Sequence, residues 1–266
     1  MTHSVHAAYR QRRRSFNWTH LDQSLQGVSG NIKVVNSSGI LVAQGQEGGP
    51  FFPFNRNKSG FAPDVQLGYT VPFAGGDWLA GLKFTYKYAN IDSQEDVNIP
   101  QTGTGTIFTV PPTSIPITGF VLGPAEINLK HQLALIATIG RSFGNVALYA
   151  GGGPALFGVE TNFINGIPFA NLPNGLPFPA SVPLTALNDN WVWGGAAQVG
   201  AKYAFASGWF LDLNYTYARS ANFTIENPEF VHNQIGPLMI SGPAVLNTHE
   251  QVTNQSVILT LNYRFH

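Results

Sequence analysis

Residues 252–265 read Val-Thr-Asn-Gln-Ser-Val-Ile-Leu-Thr-Leu-Asn-Tyr-Arg-Phe, and the second half of this stretch decides the fold. In an extended chain, successive side chains point to opposite sides. Val257, Leu259, Leu261, Tyr263 and Phe265 therefore share one side, and Ser256, Thr260, Asn262 and Arg264 share the other. The first side is oily and ends in aromatic rings; the second is polar. A strand divided in this way suits a wall with hydrocarbon on one side and a wetter interior on the other.

Working back from the C-terminus, the same period of two marks eight candidate strands, at 27–36, 60–73, 77–90, 130–143, 145–159, 191–205, 208–219 and 252–265. Long connections alternate with very short ones at Ala74–Gly76, Gly144 and Ala206-Ser207. An even strand number with that rhythm predicts an all-β fold, a single up-and-down antiparallel transmembrane barrel with four long loops on one side and short turns on the other. The first strand carries the weakest pattern. The fifth contains Gly151-Gly152-Gly153-Pro154, which leaves its register open between a bulge and a close strand approach.

In the clear strands the apolar parity holds Phe61, Leu67, Tyr69, Leu82, Phe84, Trp191, Trp193, Val199, Leu211 and Leu213, and no charge. The opposite parity holds Asp64, Lys83, Lys87, Lys202, Asp212 and Arg264. A water-soluble barrel would put its oily side inward and cover the outside with far more charge. The rings also fall at two levels. Phe73, Trp78, Phe143, Phe205, Trp209 and Phe265 sit beside the short turns, and Phe61, Tyr86, Tyr88, Trp191, Trp193 and Tyr217 beside the long loops. Arg141, on the outward parity near a boundary, is expected to snorkel.

Composition excludes several classes. The chain is neutral, with 14 Lys plus Arg against 14 Asp plus Glu, so nothing electrostatic favours nucleic acid. It has no cysteine, which removes disulfides, thiolate metal sites and a Cys nucleophile. No apolar run reaches the roughly 18–20 residues of a membrane helix. Arg10 and Arg12–Arg14 are not followed by the apolar run of an export signal. Residues 1–24 are accordingly read as a segment outside the barrel, disordered or arising from a wrongly assigned start, and 25–266 as the barrel domain.

With the hairpin Gly200-Ala201-Lys202-Tyr203-Ala204-Phe205, the turn Ala206-Ser207-Gly208-Trp209, then Leu213-Asn214-Tyr215-Thr216-Tyr217, and the terminal Leu261-Asn262-Tyr263-Arg264-Phe265, the chain resembles a known family. It is similar, over about residues 60–265, to the eight-stranded outer-membrane barrels of Gram-negative bacteria, the opacity and porin-family surface proteins related to outer membrane protein A. The resemblance implies residence in the cell outer membrane, contact with its lipid, a cleaved signal peptide, and recognition of Leu259, Leu261, Tyr263 and Phe265 by the barrel-assembly machinery. His266 follows Phe265 here, whereas such proteins usually end on the aromatic residue.

No phosphate loop, zinc motif or nucleophile elbow is present, and no cofactor is expected. Asp64, Lys83, Lys87, Lys202, Asp212 and Arg264 are read as a structural polar network plugging the lumen, because eight strands leave room for little beyond side chains. The loops 101–126, 162–187 and 227–246 are rich in Pro, Gly and apolar residues; they either pack together above the barrel or present a surface to an extracellular ligand or host. The function read from this is a structural or surface-interaction protein without catalysis. Three rivals stay open: a small-solute porin, an outer-membrane lipid hydrolase using His249 with Glu250 and Ser256, and a soluble lipocalin-like barrel.

Overall fold

The alternation continues well beyond its expected ends. The computed structural model describes residues 7–171, 177–179, 184–206 and 208–263. Its strands are β1 (Ala7–Val35), β2 (Leu41–Gly48), β3 (Phe52–Phe73), β4 (Trp78–Ile107), β5 (Thr113–Phe143), β6 (Val146–Asn171), β7 (Pro177–Pro179), β8 (Leu184–Ala206), β9 (Trp209–Ser220), β10 (Phe223–Ile235) and β11 (Leu238–Tyr263).

Two wall strands are interrupted. β2 and β3 lie end to end on β1, with Gly48 opposite Val28 and Phe52 opposite Leu25. β9 and β10 lie end to end on β11, with Arg219 opposite Thr253 and Phe223 opposite Glu250. Counting each such pair once, eight antiparallel strands form the ring among the described residues, and β1 closes it by pairing with β11 on one edge and β3 on the other. The three-residue β7 is an addition to β6. The ring of eight agrees with the sequence reading.

Three expectations change. The first strand is not confined to 27–36: β1 begins at Ala7, so residues 7–24, set apart from the barrel by sequence, include the part of the wall that pairs with β11 from Phe16 onward. The loops 101–126 and 227–246 are mostly strand, because β4 and β5 continue as a paired ribbon to Ile107 and Thr113, and β10 pairs with β11 up to Ile235–Leu238. The glycine run of β6 is not a bulge. Its register is unbroken from Ala137↔Gly152 to Ala134↔Ala155, and a Cβ on Gly153 would stand 2.0 Å from the Leu135 carbonyl oxygen, so these residues let two backbones approach closely.

Side-chain exposure follows the parity read from sequence. Leu213, Leu259 and Val199 are 49%, 64% and 54% exposed, whereas Lys83 and Asp212 are 1% and 0% exposed. The rings Phe73, Trp78, Phe143, Phe205 and Trp209 ring the short-turn end, and Phe61, Tyr88, Trp191, Trp193 and Tyr217 form a second belt, all exposed. Phe265 lies outside the described residues. Arg141 sits in the first belt with its guanidinium carbon 5.7 Å from the Trp78 ring and 5.4 Å from that of Phe143. Along β4, the rise from Trp78 to Tyr88 at ~3.3 Å per residue and ~40° tilt gives about 25 Å, the height of the apolar band of an outer-membrane barrel.

At the second belt the polarity of the wall inverts. On β4 the outward residues Trp78, Leu82, Phe84 and Tyr88 are followed by outward Asp92, Gln94, Asp96 and Asn98, while inward Lys83 and Lys87 are followed by inward Val97 and Ile99. Asn90, at φ 43°, marks the switch: β4 has one extra residue there relative to β5. Above the belt the outside of β4 is therefore wet and its inside oily, as in a water-soluble barrel. Lysine substituted for Leu259, midway between the belts, should cost about 2–4 kcal/mol, and for Asn98, above them, about 0–1 kcal/mol. Urea titration of the protein folded into phospholipid vesicles measures both.

Candidate functional site

The polar residues of the lumen fall into three clusters. In the lowest, Lys83 from β4 and Asp212 from β9 approach to 3.7 Å between Nζ and Oδ2. The Tyr149 hydroxyl donates to Asp212 Oδ1 at 2.7 Å, and Lys83 Nζ donates to Gln198 Oε1 at 3.0 Å while lying 3.8 Å above the Tyr149 ring centre. Lys202 stands directly across from Asp212 in the β8–β9 register, its Nζ 5.4 Å from the same ring. Gln198 in turn donates to Asn214 and Thr216. Glycine makes this cluster possible: a Cβ on Gly200 would lie 2.4 Å from the Tyr149 ring.

About four residues higher on β4, Lys87 donates to Asn17 Oδ1 at 2.7 Å, and Asp64 is its direct neighbour across the β3–β4 pairing. Asn17 donates to Ser15, and Asn254, a donor to Gln132, accepts from Thr19. The structure thus gathers Lys83, Lys202 and Asp212 at one level and Lys87 and Asp64 at another; Arg264 lies outside the described residues.

The third cluster lies above the second belt and was not expected. Arg56, buried, donates to Glu95 Oε2 at 3.2 Å, to the Ser93 carbonyl at 3.2 Å and to Gln23 Oε1 at 3.3 Å. Gln23 donates to Glu250, which also accepts from Thr161 at 2.6 Å. Arg56 occupies a seam. β3 and β4 are paired from Phe73↔Trp78 up to Asp64↔Lys87, β2 resumes the pairing at Gly48↔Thr102, and between those levels Arg56 joins the two edges. The sequence signal was hidden because Arg56 and Glu250 fall in stretches read as loops.

Between and above the polar clusters the lumen is apolar, which corrects the expectation of a purely polar plug. Leu21, Ile127, Leu129, Ile136, Phe157, Val159 and Val252 form one packed layer, and Leu25, Val97, Ile99, Val121, Phe163 and Leu246 form a second. The apolar loop residues of the sequence reading are part of this filling: Phe163 is in the second layer and Ile240 is buried above it.

Over the second layer opens a chamber of about 400 Å³ lined by β1, β2, β4, β5, β10 and β11. Its walls include Ile32, Val34, Ile107, Ile117, Leu238 and Ile240. Among the described residues that line it, Glu47 is the one ionisable residue; burial pushes its carboxyl up to about 6. This chamber gave no signal in the sequence, because its residues come from six strands, several of them read as loop.

His249, Glu250 and Ser256 are not brought together. Alternation places His249 on the outside, against Phe51 and bonded to Thr224, and Glu250 inside, while Ser256 is inside near the level of Phe16. Of the residues implied as an assembly signal, Leu259 and Leu261 are exposed, Tyr263 pairs with Trp209 along the backbone, and Phe265 lies outside the described residues.

Residues 123–265 match the model of the outer membrane protein beta-barrel domain. The chain belongs to that family. Outer membrane protein P1 of Coxiella burnetii (strain RSA 493 / Nine Mile phase I) is 24% identical over 238 residues, which are 89% of this chain and 79% of that protein. Among solved structures, the attachment invasion locus protein Ail of Yersinia pestis has a TM-score of 0.33 at 10% identity, covering 86% of this chain and 97% of Ail. OprG of Pseudomonas aeruginosa has 0.32 at 11%, covering 94% and 96%. At those scores the superpositions add nothing to the assignment, which rests on the domain match and the wall itself. The protein is an outer-membrane barrel of the Gram-negative type.

Removing one member of a buried ion pair strands the other. Asp212→Leu should therefore cost about 3–5 kcal/mol of folding stability, and the double variant Asp212→Leu with Lys83→Met should cost less than Asp212→Leu alone. Urea unfolding of the two proteins in vesicles gives the comparison.

Proposed function

We propose that this barrel is a closed, non-conducting surface protein whose work is done by the strands that rise beyond the bilayer. The observation that carries the reading is the filled lumen: Phe157, Ile127, Leu129 and Leu21 are fully buried across the middle of the barrel, between the polar clusters below and above. An eight-stranded wall leaves an interior that side chains fill. A steady water path would have to cross two apolar layers.

In this reading the charged residues Asp64, Lys83, Lys87, Lys202 and Asp212, with Arg264, brace the wall from within. Leu259, Leu261, Tyr263 and Phe265 are the segment offered to the barrel-assembly machinery, the apolar band is held by outer-membrane lipid, and the long hairpins face the exterior, where a ligand or host surface would be met. No catalytic role is assigned; the split of His249 from Glu250 and Ser256 argues against the hydrolase reading at those residues.

Purified protein reconstituted in a planar bilayer should show no steady ohmic current at moderate voltage. Uniform conductance steps seen reproducibly with the wild-type chain would overturn the closed reading in favour of a small-solute channel.

A further inference from the structure

The chamber at the long-hairpin end is not required by a plugged wall. Glycines line it where β2 meets β4, and Ile117 packs directly on them. Gly45 and Gly105 face each other across the β2–β4 pairing, and a Cβ on either would come within 2.9 or 2.8 Å of Ile117 Cδ1. The chamber is about 400 Å³, within the range of ~300–1,000 Å³ usual for small-molecule sites.

Into this oily space the wall presents one carboxyl group. Glu47 shares its register position with Ser29, whose hydroxyl accepts from the Glu47 amide at 2.9 Å, so the residue is fixed through its backbone. Its Oε2 is enclosed and meets no donor among the described residues. Among the described residues, those that line the chamber from β1, β4, β5, β10 and β11 are Ser29, Gln101, Thr106 and otherwise apolar groups or glycine, with no second charge. Glu47 is half-buried, and a carboxyl oxygen enclosed without a donor is costly, a cost that a ligand carrying a donor would offset.

From this geometry we infer that the chamber binds small apolar molecules bearing a single cationic amine, with the hydrocarbon part among Ile117, Ile240 and their neighbours and the amine against Glu47. The apolar layer of Val121 and Leu246 closes the chamber below, so the ligand enters and leaves from the exterior side. Burial holds the Glu47 carboxyl up at about 6. A raised carboxyl is ionised above that value and takes its proton as the pH falls through it, so the attraction for a cation is present at neutral pH and lost on acidification.

The test uses the full chain in lipid nanodiscs, with empty nanodiscs as the reference, and two probes of one shape and opposite charge, 1-naphthylmethylamine and 1-naphthaleneacetate. One saturable site for the amine and none of comparable affinity for the acetate is the expected result. Glu47→Gln should weaken the amine about tenfold or more, and lowering the pH from about 7.5 to about 5 should weaken it about tenfold in the wild type and hardly at all in the variant. Gly105→Leu, which fills the chamber, should abolish binding; retention of the folded form on unheated gels shows whether each variant is intact, and the Glu47→Gln and two-probe comparisons decide alone where Gly105→Leu does not fold. Equal binding of the two probes, an unchanged affinity in Glu47→Gln, or no saturable binding above empty nanodiscs overturns the inference. Conductance is measured without the amine, so the closed-lumen reading and this one fail separately.

Discussion

Away from water, each unpaired peptide N–H or C=O costs several kcal/mol, and a sheet in a bilayer survives only without free edges. β1 supplies that condition. It pairs along Phe16–Val35 with β11 and along Ala7–Leu25 with β3, so the first and last strands of the chain become neighbours. Every other feature is built on the resulting ring: with edges gone, one face of each strand must meet hydrocarbon and the other must meet the opposite wall.

Closure at eight strands also sets what the interior holds. The space is narrow, so charged residues reach across it to one another, and they are held in company: Lys83 with Asp212, Gln198 and Tyr149, Lys87 with Asn17 and Asp64. Pairing tempers the expense of burying ions without making such pairs strong sources of stability. The apolar layers are ordinary core: the first begins at Ile136, opposite Lys83 within the oily band, and the second stands where the outside of the wall has turned polar. The barrel is thus a membrane protein for the lower part of its height and resembles a soluble β-barrel for the rest.

That inversion explains what could be read from the chain. Within the bilayer band, oily residues hold one parity over several turns of alternation, so β3, β4, β8, β9 and β11 were legible, and with them the inward charges. β1 was not. Its outward face offers Phe16 and Trp18, then passes to His20 and Asp22, while the inward face goes from Ser15 and Asn17 to Leu21 and Leu25, so hydrophobicity changes sides after two repeats. Tyr149 escaped for another reason: the glycines that follow it carry no side chain to reveal parity, and the residue's inward position depends on that register. The chamber and the Arg56 cluster depend on contacts between strands far apart in sequence, which a period along one strand does not contain.

The seam that Arg56 spans has a mechanical meaning. Over most of its surface the wall is a lattice of main-chain bonds; a second gap, between β8 and β10 above the Gly194↔Ser220 pair, is crossed by Asn188 donating to Asn227. Between β3 and β4, from the level of Asp64 to that of Gly48, cohesion passes instead through one guanidinium reaching Glu95 and the Ser93 carbonyl. Native proteins open first where few main-chain bonds hold. Opening of this barrel is favoured at such gaps, and at the Arg56 seam it would bring water to the buried Gln23–Glu250 pair.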